Sequence, residues 1–128
     1  MNVDLESKFG LTSQQAFEYA EKHGLRVVYP TAYELFIDID SPQDQQTFDK
    51  NYSLLSSAYG FTGCSSKPSR RKEHGMHVTV TMNRPVTPIE RVALQASLGS
   101  DARREAHSLN RIIAGDSLPT LFFEKKCS

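Results

Sequence analysis

Two stretches of strict alternation constrain this chain more than anything else in it. In Tyr33–Asp40, Leu35, Ile37 and Ile39 take turns with Glu34, Phe36, Asp38 and Asp40. In Met76–Met82, Met76, Val78, Val80 and Met82 take turns with His77, Thr79 and Thr81. A period of two is the pattern of a β-strand with one face in a core and the other turned away from it. Between and beyond these strands the grammar is helical. Ser41-Pro42-Gln43-Asp44 and Thr87-Pro88-Ile89-Glu90 each place a capping hydroxyl before a proline and then an acid, and Gly60 and Gly99 follow as stops. The first of these helices carries Phe48, Tyr52, Leu55 and Tyr59 at helical spacing. A third helix runs from Ser100-Asp101 to about Ile113, and an earlier one spans Leu11–His23, with Thr12 and Gln15 as a capping box and Gly24 as its stop.

Short β-rich runs at Leu25–Tyr29, Phe61–Cys64 and Thr120–Glu124 complete the set, and a polar loop covers Ser65–Gly75. From Tyr33 onward the order is β-α-β-β-α(α)-β. That predicts an α+β domain of ferredoxin-like (RRM-like) type, a four-stranded antiparallel sheet with helices on one face and the other face free. Residues 1–32 then form an N-terminal extension whose helix and strand add to a sheet edge, and 33–124 form the core. At 128 residues one domain accounts for the whole chain.

On this reading Asp38, Asp40, His77, Thr79 and Thr81 share the open face. Asp38 and Asp40 are two residues apart on a strand, so their carboxylates emerge on one side about 7 Å apart. Asp38 lies between two isoleucines, where it has no turn or cap to serve and where aspartate is disfavoured. Paired carboxylates suit Mg²⁺ or Mn²⁺, which take one or two acids and borrow phosphate oxygens from a substrate. Asp40 also precedes a helix and would favour its positive end without any ion. His77, beside the two acids, is placed to hold a phosphate or orient a ligand.

Basic groups supply the other half of a phosphate site. Lys67, Arg70, Arg71 and Lys72 lie in the loop with Ser65, Ser66 and Ser69, and Arg104, His107, Ser108 and Arg111 form one side of the third helix. Ala102, Ala106, Leu109 and Ile113 form its opposite side and are expected to face the core. Either basic group would equally serve as a solvated surface. Glu124, following Leu121-Phe122-Phe123, is the candidate third carboxylate. Cys64, His74 and His77 match no zinc spacing, and no Walker loop, G-x-G-x-x-G or G-x-S-x-G element is present.

Leu35-Phe36-Ile37-Asp38-Ile39-Asp40 resembles the first motif of the archaeo-eukaryotic primase superfamily. Ser69 with Gly75-Met76-His77-Val78 is similar to its second motif, and Glu124 is the best match to its third. The resemblance implies that Asp38, Asp40 and Glu124 bind Mg²⁺ or Mn²⁺ and that Ser69 and His77 contact nucleotide phosphates. It further implies a nucleoside triphosphate and a single-stranded template as partners, with nucleotidyl transfer as the reaction. His77-Val78-Thr79-Val80 is also similar to the His-x-Thr-x element of 2H phosphoesterases, which act without metal on cyclic or 2′-5′ phosphates; His107-Ser108-Leu109 is the only other candidate for their second element. A non-catalytic nucleic-acid- or protein-binding module is the remaining alternative; Phe36 is available for base stacking, but the Met76–Met82 strand offers no aromatic beside it, which makes for a poor stacking surface.

Charge does not choose between these readings. Fifteen basic residues balance fifteen acidic ones, so phosphate or nucleic-acid binding would have to come from local patches. No run of eighteen apolar residues exists, and Met1–Gly10 has no signal-peptide pattern, so a cytoplasmic protein with no membrane partner is expected. Cys64 and Cys127 are accordingly expected to be free thiols.

Overall fold

The computed structural model describes residues 13–68, 75–116 and 119–125. Within them the protein is α+β, with four helices and two small antiparallel sheets. The order is α1 (Ser13–Lys22), β1 (Leu25–Val28), β2 (Glu34–Ile39), α2 (Pro42–Tyr59), β3 (Phe61–Pro68), β4 (Met76–Met82), α3 (Pro88–Ser97), α4 (Ala102–Ile113) and β5 (Phe122–Lys125). No described helix is long and apolar enough to cross a membrane.

The expected caps form. Ser41 Oγ accepts the Asp44 amide at 3.1 Å. Thr87 and Glu90 close a reciprocal capping box through bonds of 3.2 and 2.9 Å. Gly60 ends α2 at φ 77°, a left-handed conformation that an L side chain resists. Thr12, half of the capping box expected on α1, lies outside the described residues.

The two alternating strands are antiparallel neighbours, with Leu35 opposite Val80, Phe36 opposite Thr79 and Asp38 opposite His77. Leu35, Ile37, Ile39, Val78, Val80 and Met82 are buried against Phe48 of α2, Leu94 of α3 and Leu98, which caps the end of α3. Burial of each such side chain stabilises by about 2 kcal/mol. Tyr52 and Leu55 pack at the margin of this core, while Tyr59, the last of the α2 stripe, is exposed. β3 pairs with β4 and runs on to Pro68 opposite Met76, so part of the expected loop is strand.

The expected four-stranded sheet does not form. The strands β2, β4 and β3 make one sheet in that order, and β5 pairs instead with β1, from Leu25–Lys125 to Val28–Phe122. The reason lies along the outer edge of β2, where a further strand would have bonded. The Phe36 amide donates to Gln95 Oε1 at 2.7 Å, and the Phe36 carbonyl accepts Arg104 Nη1 at 2.5 Å. The Asp38 amide donates to Ser100 Oγ at 3.0 Å, and its carbonyl accepts the Asp101 amide at 2.8 Å. Arg91 Nε donates to the Glu34 carbonyl at 2.9 Å. Polar groups of α3 and α4 thus satisfy an edge that would otherwise recruit a strand.

The second departure is α4, which is turned around relative to its apolar pattern. Glu105, Ser108 and Arg111 are buried, whereas Ala102, Ala106, Leu109 and Ile113 are exposed, the last at 75%. The buried edge of β2 needs hydrogen-bond partners more than α4 needs to bury two aliphatic side chains. An unsatisfied buried donor or acceptor costs about 1–3 kcal/mol.

Candidate functional site

Antiparallel pairing with β4 puts Asp38 directly across from His77, and the imidazole Nε2 lies 3.9 Å from Asp38 Oδ1. Asp40 follows at the end of β2, just before the Ser41 cap. A third carboxylate comes from Asp101, the N-cap of α4, whose Oδ2 accepts the Arg104 amide at 3.2 Å. Its own amide is bonded to the Asp38 carbonyl, which fixes the start of α4 against β2. One carboxylate oxygen from each of Asp38, Asp40 and Asp101 lies within 4.8 Å of the others, and all three side chains are half-buried. Three hard oxygen donors at that spacing fit a divalent cation of the Mg²⁺ or Mn²⁺ type.

The pairing of Asp38, Asp40 and His77 is therefore as the alternation predicts, but the third acid comes from elsewhere. Glu124 sits on β5 and binds two cations, Arg26 at 3.0 Å and Lys67 at 3.5 Å. Asp101 reads in the sequence as a helix cap and nothing more; only the bond between its amide and β2 brings it to the other two acids.

The face carrying His77 is not free. The Phe122 ring is parallel to Phe36, with centroids 4.4 Å apart, and parallel to His77 at 4.0 Å. Two rings cannot lie side by side over one face of a third at those distances, so Phe122 is sandwiched between them. Phe36 is 3% exposed and is not the open stacking platform of a nucleic-acid-binding sheet. Beside this stack, the β1/β5 ribbon and the three-stranded sheet enclose a cleft of about 180 Å³. Arg26, Tyr29 and Glu124 line it from the ribbon side, and Ser65, Lys67, His77 and Thr79 from the sheet.

Neither helical arginine expected at phosphate is available for it. Arg104 donates to the Phe36 and Leu121 carbonyls and to Glu105 Oε2, with its guanidinium carbon 5.0 Å from the Phe122 centroid. Arg111 is buried and donates to the Pro119 carbonyl at 3.0 Å; burial lowers its pKa, partly countered by the Asp116 charge. Both side chains tie α4 to the segment leading into β5. His107 is half-buried, and burial followed by the charges of Arg111 and Arg103 pushes its pKa below the usual histidine value. Ser69, Arg70, Arg71 and Lys72, with His74, lie outside the described residues. Lys67 and Arg26 are the cations that the structure does place beside His77, and Arg26 was legible only as a charged position on a short strand.

Comparison with known proteins adds no assignment: no protein-family model matches the chain, and searches of curated proteins and of solved structures returned no match.

Proposed function

We propose that this protein carries out, or is derived from proteins that carry out, divalent-cation-dependent phosphoryl transfer on nucleotides. The single observation behind this is the convergence of Asp38, Asp40 and Asp101 within 4.8 Å, next to His77. Carboxylates gathered in this way hold Mg²⁺ or Mn²⁺, and such ions organise phosphate oxygens for attack and departure. His77, opposite Asp38, is the side chain placed to hold or protonate a phosphate oxygen. In the more specific form of the reading, the two-aspartate strand and the Gly-x-His strand belong to a minimal primase-polymerase using Mg²⁺ or Mn²⁺, a nucleoside triphosphate and single-stranded nucleic acid in the cytoplasm. Its three-stranded sheet with α2 and α3 is then a ferredoxin-like (RRM-like) core whose last strand has moved to β1.

Calorimetry with Mn²⁺, with and without a nucleoside triphosphate, tests the reading on the wild type and on Asp38→Ala/Asp40→Ala. The expected result is Mn²⁺ binding by the wild type that the double variant loses; absence of metal-dependent heat in the wild type defeats it. A second reading, a metal-independent phosphoesterase, draws on His77 and Thr79 facing the same cleft. It predicts cyclic-phosphate hydrolysis in EDTA that survives Asp38→Asn.

A further inference from the structure

The cleft beneath the ribbon is a site in its own right, separate from the three aspartates and touching them only through His77. Its charges cancel: Arg26 and Lys67 are matched by Glu124, which bonds both, and by Glu34. It therefore offers no net field to a phosphate. What it does offer is hydrogen-bonding capacity against an apolar wall. The hydroxyls of Ser65 and Thr79 have no hydrogen-bond partner among the described residues, and Phe36, Phe122 and Val28 supply the wall. At about 180 Å³ the space holds a single ring system and neither a triphosphate nor a paired strand.

We infer that this cleft is a slot for an uncharged, hydrogen-bonding heterocycle, the base of a mononucleotide, read by the protein's own side chains. The identity of the ring as a nucleotide's base rests on the proposed reading of the aspartates, because His77 is what links the two places: it lines the cleft, and its Nε2 reaches toward Asp38. Thr79 and Ser65 meet the polar edge of the ring. The ion pairs of Glu124 with Lys67 and Arg26, whose side chains are 69% and 51% exposed, form a rim that can open to admit it.

The experiment uses the full chain, labelled with ¹⁵N, and titrates adenosine, guanosine, cytidine and uridine separately without metal. At least one nucleoside is expected to give saturable amide shifts centred on Ser65, His77 and Thr79. Thr79→Val, which keeps the shape and removes one hydroxyl, is expected to weaken that binding about fivefold. Thr79→Phe fills the slot and is expected to abolish it. Absence of saturable shifts with all four nucleosides, or binding unaltered in Thr79→Val, overturns the inference. Mn²⁺ added in a separate titration reads the aspartates by paramagnetic broadening at Asp38, Asp40 and Asp101. Broadening there without nucleoside shifts removes the slot and leaves the proposed function standing; nucleoside shifts without broadening do the reverse.

Discussion

Asp101 and Glu105 stand one helical turn apart at the start of α4 and put a carboxylate to opposite uses. Glu105 is 4% exposed and is saturated with donors: Gln95 Nε2 at 2.8 Å, Ser100 Oγ at 2.8 Å and Arg104 Nη1 at 2.5 Å. Those same three residues hold the backbone of β2 at Phe36 and Asp38. Asp101 is half-buried and joins two other carboxylates. One group is a closed knot in which a single negative charge organises donors around a strand edge. The other collects negative charge where a cation can reach it. Position relative to β2 separates them: the knot faces the middle of the strand, and the aspartates gather where the strand ends.

If that contrast is right, the largest effect belongs to the knot. Glu105→Ala removes the acceptor shared by three buried or half-buried donors and is expected to lower the unfolding free energy by about 3 kcal/mol in urea denaturation. Glu105→Gln, which keeps the shape and one acceptor, is expected to recover part of that. A loss below about 1 kcal/mol for alanine would show that the edge is held by packing instead. Asp101→Asn should behave in the opposite way. Asparagine caps a helix as well as aspartate does, so stability in EDTA is expected to stay within about 0.5 kcal/mol of wild type. Free Mn²⁺ at a hundred times its dissociation constant is expected to stabilise the wild type by about 2.7 kcal/mol in thermal unfolding, and Asp101→Asn to lose most of that increment.

A smaller effect tests how tightly α4 is buried by its polar side. Burial and the neighbouring Arg111 and Arg103 lower the pKa of His107, so the unfolded chain takes up its proton first as pH falls. Stability from this group is fully present above the unfolded value of about 6.5 and is lost as pH drops through the lower folded value. Unfolding free energy measured from pH 7.5 to 5 should fall more steeply in the wild type than in His107→Asn. Equal slopes would mean that the side of α4 bearing His107 is effectively solvated.

Much of the fold was legible because its signals are local. The alternation of Leu35, Ile37 and Ile39 against Asp38 set the core and put Asp38 on the same face as His77, and the Ser41 and Thr87 caps set two helix starts. What escaped the sequence depends on partners far along the chain. Gln95 and Glu105 read as ordinary helix-surface residues and Ser100 as part of a helix cap until β2 is set beside them, and Arg104 and Arg111 look like a solvated stripe until the residues before β5 supply carbonyls. Asp101 caps α4 and also lies beside the other two aspartates, and only the cap has a sequence pattern. The displacement of β5 follows from the same blind spot, since an edge closed by side chains leaves no trace in strand periodicity.

The smallest effect concerns the other side of α4, and it checks the inversion directly. Were the helix seated by its apolar residues, Ile113→Lys would bury a charge and cost several kcal/mol. In the structure Ile113 is 75% exposed, beyond the buried Arg111 that anchors this end of the helix to Pro119. The expected change in unfolding free energy for Ile113→Lys is within about 0.5 kcal/mol, and Leu109→Gln, at 38% exposure, should cost somewhat more. Measured beside Glu105→Ala, the pair orders the two sides of one helix. A polar side whose loss is costly and an apolar side whose loss is barely felt are what α4 requires if its work is to close the edge of β2.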